Sequence, residues 1–381
     1  MDFTINDTQS RFRDSLVEFA RRELNHEVAK DDAESRFSWP RWQKLSSMGL
    51  TGLCLPESYG GQGADMVTAT VGLEALGYAC RDSGLIHALI THLLSALQIA
   101  KFGTEQQRET YLPGACRGEM ICAQAITEAE SGSDAMAMKT RAEKIDTGYR
   151  LNGSKMFISN GPIADVALVF AVTEPKRKSL GGISSFVVEK GHKGFSSGTP
   201  FEKMGLRTLM NSELVFEDCL IPTSAILGRE GQGMMMFNEG MQYERTLLFA
   251  CHLGVLRRIQ ESCIRYARER RQGGQPIAKY QLVSEKITRM IVNLELGRLI
   301  LYKSAWLIDQ KKRSNLESSI AKLFISGNLK LACLDAIQIH GAYGYMKEFE
   351  IERDLRDCIA STIYSGTSEI QKMIISSLSG L

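Results

Sequence analysis

At 381 residues, 44% apolar and 24% charged, the chain has the size and balance of a globular protein with two or three units around a large buried core. Its 46 Lys and Arg nearly cancel its 44 Asp and Glu, which excludes the overall basic field of a nucleic-acid binder. Nine cysteines stand singly without a Cys-x-x-Cys pair, and six dispersed histidines lack a His-x-x-x-His pair. Reduced thiols serving as small core residues are therefore expected, and no metal site.

The first third reads as helical. After the polar start Asn6-Asp7-Thr8, apolar Phe12, Leu16, Phe19, Ala20 and Leu24 mark one helix face. The Gly- and Pro-punctuated stretch Leu55–Gly63 breaks the pattern, and helices are then expected from Met66 to Tyr78 and from Leu85 to Phe102. Gly103-Thr104-Glu105 reads as a helix stop followed by a new start. Between about 116 and 226 the period changes to that of strands. Residues 149–158 read as strand, Asn152-Gly153 turn, strand, and Val166–Val172, Ile183–Val188 and Glu213–Phe216 are further β-rich runs. From about 230 helix returns, with Val283, Ile287, Met290, Ile291, Leu294 and Leu301 spaced as in a bundle helix. The expected units are a helical N-terminal domain (1–115), a β middle domain (116–226) and a helical C-terminal domain (227–381). No run of about 18 apolar residues appears, so no membrane span is expected. The acidic, polar start Met1-Asp2-Phe3 is unlike a leader, which makes the cytoplasm the expected location.

The local basic run Arg265–Arg271, with Arg257 and Arg258 upstream, is either a solvated helix face or a contact for phosphates or an acidic partner. The loop Cys122–Asp134 offers amides, hydroxyls and small side chains suited to gripping a flat polar ring and a phosphate, although a Gly-Ser-Asp loop alone is most often a turn. It has neither the Rossmann nor the P-loop glycine spacing. Glu244, beside Arg245, is by itself an ordinary helix carboxylate.

Together with Lys155–Gly161, Leu55–Gly63, Tyr266–Ile277, Gln338–Tyr345 and Thr362-Ile-Tyr-Ser-Gly-Thr-Ser-Glu-Ile-Gln371, that loop resembles the acyl-CoA dehydrogenase flavoproteins over essentially the whole chain. The resemblance implies an acyl-CoA dehydrogenase-like α+β multidomain fold: a helical domain, a β-barrel middle domain and a C-terminal four-helix bundle. It also implies a homotetramer, a dimer of dimers, with FAD as cofactor. Carried over by position, Gln124, Ile126, Thr127, Gly132, Ser133, Phe157 and Ser159 would contact FAD within one subunit. Arg270, Gln272, Ile277, Tyr280, Gln338 and Ala342 would reach it from a neighbouring subunit, joined by Thr367 and Glu369 of the C-terminal signature. Gly273 stands where the family usually has Phe, and Ala342 where it usually has Gly.

In the common form of that signature the residue at 365 is the Glu that removes the α-proton of a thioester. Here it is Ser365, and a hydroxyl without a partner base cannot do that work near neutrality. Some branches carry the base just before an Arg on an earlier helix, and Glu244 fits that slot. The resemblance thus implies Glu244 as base, Ser365 N–H as part of the oxyanion site, and Tyr364 and Arg245 near the substrate. The combination of Tyr243–Ala250 with Ile363–Ser368 resembles the prolyl-carrier-protein dehydrogenases and oxidases. The implied reaction is Cα deprotonation of an L-prolyl thioester on an acyl or peptidyl carrier protein, with hydride transfer from Cβ to flavin N5. The product would be a pyrroline or pyrrole, with oxygen or another acceptor taking the electrons. The alternative is a short- or branched-chain acyl-CoA dehydrogenase coupled to an electron-transfer flavoprotein.

Overall fold

The structure is a computed structural model that describes residues 4–177 and 181–381. Six helices open the chain: α1 (Asp7–Glu23), α2 (Val28–Glu34), α3 (Trp39–Ser47), α4 (Met66–Ala79), α5 (Ser83–Phe102) and α6 (Glu105–Cys116). Their starts are set by side-chain oxygens that satisfy otherwise orphaned amides. Asn6 with Gln9, and Thr104 with Gln107, form reciprocal capping boxes. Asp65 and Asp82 cap α4 and α5. The α5 helix, at 20 residues, is long and apolar enough to cross a membrane, but 72% of its most apolar 18-residue window is buried inside the fold. It packs on α6 and against the strands and helix that follow, so its hydropathy is that of a core helix.

The middle domain holds β1 (Cys122–Ala125), β2 (Arg141–Ile145), β3 (Gly148–Ser159), β4 (Val166–Val172), β5 (Ile183–Glu189), β6 (Phe195–Ser197), β7 (Asn211–Pro222) and β8 (Ile226–Leu227). They form one eight-stranded mixed sheet in the order β6-β7-β3-β2-β4-β5-β8, with β1 added parallel to β4. The two-residue period decides its faces. Val166, Leu168 and Phe170 join a core shared with Leu112 of α6, while Ala167, Val169 and Ala171 join the sheet's own core with Leu151, Phe186 and Phe216.

The expected turn at Asn152-Gly153 is not one. β3 runs through it, and the chain reverses at Asp146-Thr147 between β2 and β3. Asn152 instead exchanges hydrogen bonds with Asp218 across β7, Oδ1 accepting from the Asp218 amide at 2.8 Å. The register shifts between Leu151 and Gly153, making a bulge. Gly153 has φ 138°, and a Cβ there would stand 2.7 Å from the Thr140 backbone. The glycine marks a close strand approach, not a hairpin.

The last domain is built on α7 (Gly233–Glu269), which ends in the short hairpin β9 (Arg271–Gln272) and β10 (Gln275–Pro276). Then come α8 (Gln281–Asp309), α9 (Asn315–His340), α10 (Ala342–Tyr345), α11 (Ile351–Ile359) and α12 (Ser368–Leu378). Helices α7, α8 and α9 pack on one another and α12 on α9, with α4 and α5 laid against α7. At about 1.5 Å per residue, α7 is about 56 Å long and links the sheet side of the molecule to its far end.

Candidate active site

The two stretches that were 121 residues apart in sequence meet directly: the Ser365 hydroxyl donates to Glu244 Oε1 at 2.6 Å. Ser365 lies between α11 and α12 with φ 57°, left-handed backbone that a non-glycine residue adopts only when its surroundings hold it there. Two buried side chains do so. Its carbonyl accepts from Arg245 Nε at 3.2 Å and from Gln371 Nε2 at 3.0 Å. Arg245 is itself fixed by donating from Nη1 to Ser319 Oγ at 3.1 Å. The Ser365 N–H has no hydrogen-bond partner among the described residues. Burial pushes the Glu244 carboxyl above its ordinary range, and the Ser365 hydroxyl and the Arg245 charge pull it back down. A half-buried carboxylate, a clamped loop and a free amide donor are thus assembled at one point.

Along α7 that point lies between two separate pockets lined by the antiparallel α5 and α7, together termed the groove. Toward the N-terminal end of α7 the groove opens through a pocket lined by Gln98, Lys101, Gln124, Gly240 and Tyr243, with about 310 Å³ of empty space including its mouth. Gly240 is one helical turn before Glu244, so it shares the face of α7 that carries this carboxylate. Lys101 at the mouth pairs with Glu239 and donates to Tyr243 Oη at 3.2 Å. Gln98 is buried with Oε1 unpartnered. Toward the other end lies a more enclosed cavity lined by His87, Ile90, Leu206, Leu248 and His252, about 370 Å³ including its opening. Leu248 is one turn after Glu244. Tyr364 reaches this cavity's histidines: its hydroxyl donates to His252 Nε2 at 2.7 Å, and its ring meets that of His87 edge-on at 4.9 Å.

The segments expected to hold a flavin also converge. The Met156 amide donates to the Thr127 carbonyl at 2.7 Å, tying the first stretch to the second. Beneath them the buried Lys155 pairs with Glu128 at 2.7 Å, and Glu128 accepts from the amides of Lys139 and Thr140. Phe157 is 63% exposed at φ 61°, a large aromatic held in strained backbone whose ring meets Phe201 at a tilt, centroids 5.5 Å apart, and is otherwise open. Gln124 Nε2 is buried and unpartnered, and a Cβ at Gly132 would meet open space. A largely exposed aromatic, an orphaned donor and an open glycine loop fit a flat ring with a phosphate tail. Ile126, Thr127 and Ser159 flank these residues, half-buried, and Ser133 is exposed. Thr367 caps α12, accepting from the Ile370 amide at 3.3 Å, with Glu369 exposed in its first turn.

Arg270, Gln272, Ile277 and Tyr280 gather at the opposite end of α7, and Gln338 and Ala342 lie near them beyond the Tyr266–His340 ring stack. Arg270 is about 39 Å along the helix from Glu244, so these residues do not join Glu244 within one chain. The departures at 273 and 342 have local reasons. Gly273, at φ 57°, turns the β9–β10 hairpin, and a Cβ there would stand 2.4 Å from Tyr280 Oη. Ala342 is exposed in the first turn of α10, the left-handed residue being Gly341.

The basic run needs correction. Arg258 is buried and donates to Asp354 at 2.7 Å and to the Gly77 and Cys80 carbonyls. Arg257 lies over the Tyr78 ring and pairs with Glu261. Arg265 is exposed but about 31 Å along α7 from Glu244, away from the groove's mouth. Residues that sequence reasoning passed over are His87, Gln98, His252, Gln371 and Lys322. Lys322 is wholly buried with Nζ unpartnered, and burial pushes it down to about 8. A lone polar residue in an apolar helix gives no periodic signal.

All three parts of the chain match models of the acyl-CoA dehydrogenase family: the N-terminal domain at residues 6–119, the middle domain at 123–219 and the C-terminal domain at 231–378. An L-prolyl-[peptidyl-carrier protein] dehydrogenase of Pseudomonas fluorescens is 38% identical over 378 residues, 98% of each chain. The crystal structure of the prolyl acyl carrier protein oxidase AnaB is 42% identical and superposes with TM-score 0.97 over 99% of this chain and 100% of that one. PigA with FAD and proline is 35% identical with TM-score 0.98, covering all of both chains. The chain belongs to the acyl-CoA dehydrogenase family and is an FAD-dependent oxidoreductase.

Proposed function

We propose that the protein oxidises an L-prolyl thioester carried on the phosphopantetheine arm of an acyl or peptidyl carrier protein, with Glu244 as the base. The observation that carries this is the Ser365–Glu244 hydrogen bond, which puts the chain's alternative carboxylate where the signature loop meets the groove. Bound FAD supplies the hydride acceptor, held in one subunit by Gln124, Gly132 and Phe157 and their neighbours. Glu244 takes the Cα proton. The free Ser365 N–H polarises the thioester oxygen as negative charge develops there. The enclosed end of the groove takes the prolyl ring, and the arm leaves through the Gln98 pocket, whose unpartnered Oε1 suits an amide N–H of pantetheine. Carrier docking belongs at that mouth, near Lys101, and not on the Arg257–Arg265 run.

The residues at the far end of α7 would serve the FAD of a neighbouring subunit in a homotetramer. Exposed Val292, Leu296 and Leu299, at helical spacing on α8, favour burial against another copy. The second reading, oxidation of a short or branched acyl-CoA, is favoured by the family itself, since the base position is shared. The FAD-loaded enzyme incubated in air with prolyl-loaded carrier protein should give a product lighter by two or four mass units. No loss there, with butyryl- or isovaleryl-CoA oxidised instead, would overturn the proposal in favour of the second reading.

A further inference from the structure

The enclosed cavity beyond Glu244 contains a polar group that the fold leaves unused. Three of its other polar side chains are committed, and the remaining hydroxyl, Ser83, sits half-buried at the start of α5. His252 donates from Nδ1 to the Leu248 carbonyl at 2.8 Å and accepts at Nε2 from Tyr364. Asp354 is paired with Arg258, and Asp357 accepts from the Leu206 amide at 2.6 Å. His87 is different. It is 8% exposed, sits on α5 between apolar turns, and neither ring nitrogen has a hydrogen-bond partner among the described residues. Its position is nonetheless fixed by the edge contact with Tyr364, the residue before Ser365.

The His87 ring nitrogens keep some accessible surface in the cavity instead of being sealed in the core, so a ligand there can meet them. Burial pushes His87 down to about 3, so the ring is neutral at working pH and carries one lone pair and one N–H. A hydrocarbon acyl tail filling Ile90, Leu206 and Leu248 would leave that lone pair unsatisfied. A five-membered ring with nitrogen bonded to Cα would not, because that nitrogen carries an N–H whether the amine is neutral or protonated.

Resting on the prolyl-thioester reading, we propose that His87 is the residue that recognises the ring amine, accepting its N–H and so selecting a cyclic amino acid over an acyl chain of the same shape. The contact is made to the substrate before and during reaction, so its loss should raise KM more than it lowers kcat.

The test compares prolyl and cyclopentanecarbonyl thioesters on the same pantetheine arm, the carbocycle as substrate or competitive inhibitor. Wild type, His87→Leu and His87→Gln are assayed with FAD content checked by absorbance. In His87→Leu the preference for prolyl over the carbocycle should fall about 10- to 100-fold, carried mainly by KM. His87→Gln, which restores an acceptor, should recover most of it. An unchanged preference in His87→Leu, or an equal loss on both thioesters, would overturn the assignment. The underlying reading fails separately, if wild type itself does not oxidise the prolyl thioester.

Discussion

Replacing Ser365 by Ala removes one defined interaction, the hydroxyl donated to Glu244 at 2.6 Å. A hydrogen bond to a charged acceptor contributes about 1.5–3 kcal/mol. At about 1.4 kcal/mol per pK unit, its loss should raise the base's pKa by about one to two units. The sign follows from which form acts. Glu244 must be ionised to take a proton, so the acid limb of kcat/KM should move to higher pH by that amount. Below the limb the variant should be about 10- to 100-fold slower, and on the alkaline plateau nearly equal to wild type. Ser365→Gly loses the same hydroxyl but relieves the φ 57° backbone, so it should share the shift while melting no lower. Kinetics on the FAD-loaded enzyme across pH 5–9, with flavin absorbance confirming occupancy, would read this out. A limb that does not move, or a uniform loss at every pH, would refute the idea that Ser365 acts through the carboxylate.

Glu244→Gln should keep the flavin bound while turnover falls by about 100- to 10,000-fold, the usual contribution of a general base; full reduction of the flavin by substrate in that variant would count against Glu244. Arg258→Ala should lower the melting temperature markedly, because it leaves Asp354 buried and unpaired, whereas Arg265→Glu should change neither stability nor turnover of carrier-bound substrate. Stability should also fall in acid. His92 accepts from the Cys122 amide at Nδ1 and faces the Thr51 and Ala115 carbonyls at Nε2, and burial pushes it down to about 4. With its folded pKa below the unfolded 6.5, stability is full above about pH 6.5 and declines as pH falls toward 4. His92 contributes about 3 kcal/mol to that loss, with His252 titrating in the same window. Denaturant midpoints measured from pH 7.5 to 4.5 would show it, and a flat profile would not fit.

The helices and strands that carry period were legible because burial writes the period. Met66–Ala79 ends within one residue of its expected span, and β4 lies at Val166–Val172 as read. Asn152-Gly153 misled because the dipeptide's turn preference was overridden by a bulge against Thr140 and Asp218, tertiary neighbours that no local pattern encodes. Arg258 read as surface because charge is ordinarily solvated, yet two carbonyls and Asp354 neutralise it inside the fold. Glu244 and Ser365 could be named from motif resemblance, but their contact could not. It depends on how α7 lies under a loop more than a hundred residues later.

The serine's place in the chain is therefore best understood through its backbone. A left-handed non-glycine residue costs of order 1–3 kcal/mol and persists only when its neighbours hold it. Here the holding groups are Arg245, the residue next to Glu244, and Gln371 from the following helix, both on one carbonyl. The strain thus locks the signature loop to the helical turn that bears Glu244. With the carbonyl turned toward Arg245 and the hydroxyl donated to Glu244, the amide is left without a partner among the described residues. A glutamate at 365 would place a second carboxylate within hydrogen-bonding reach of the first, and two such groups cannot both ionise at that separation. A small hydroxyl there adds no second charge, and by donating to Glu244 it pulls against the rise that burial imposes on that carboxyl. Serine at 365 and glutamate at 244 are thus one arrangement, joined by a hydrogen bond and by the Arg245 clamp on the same loop.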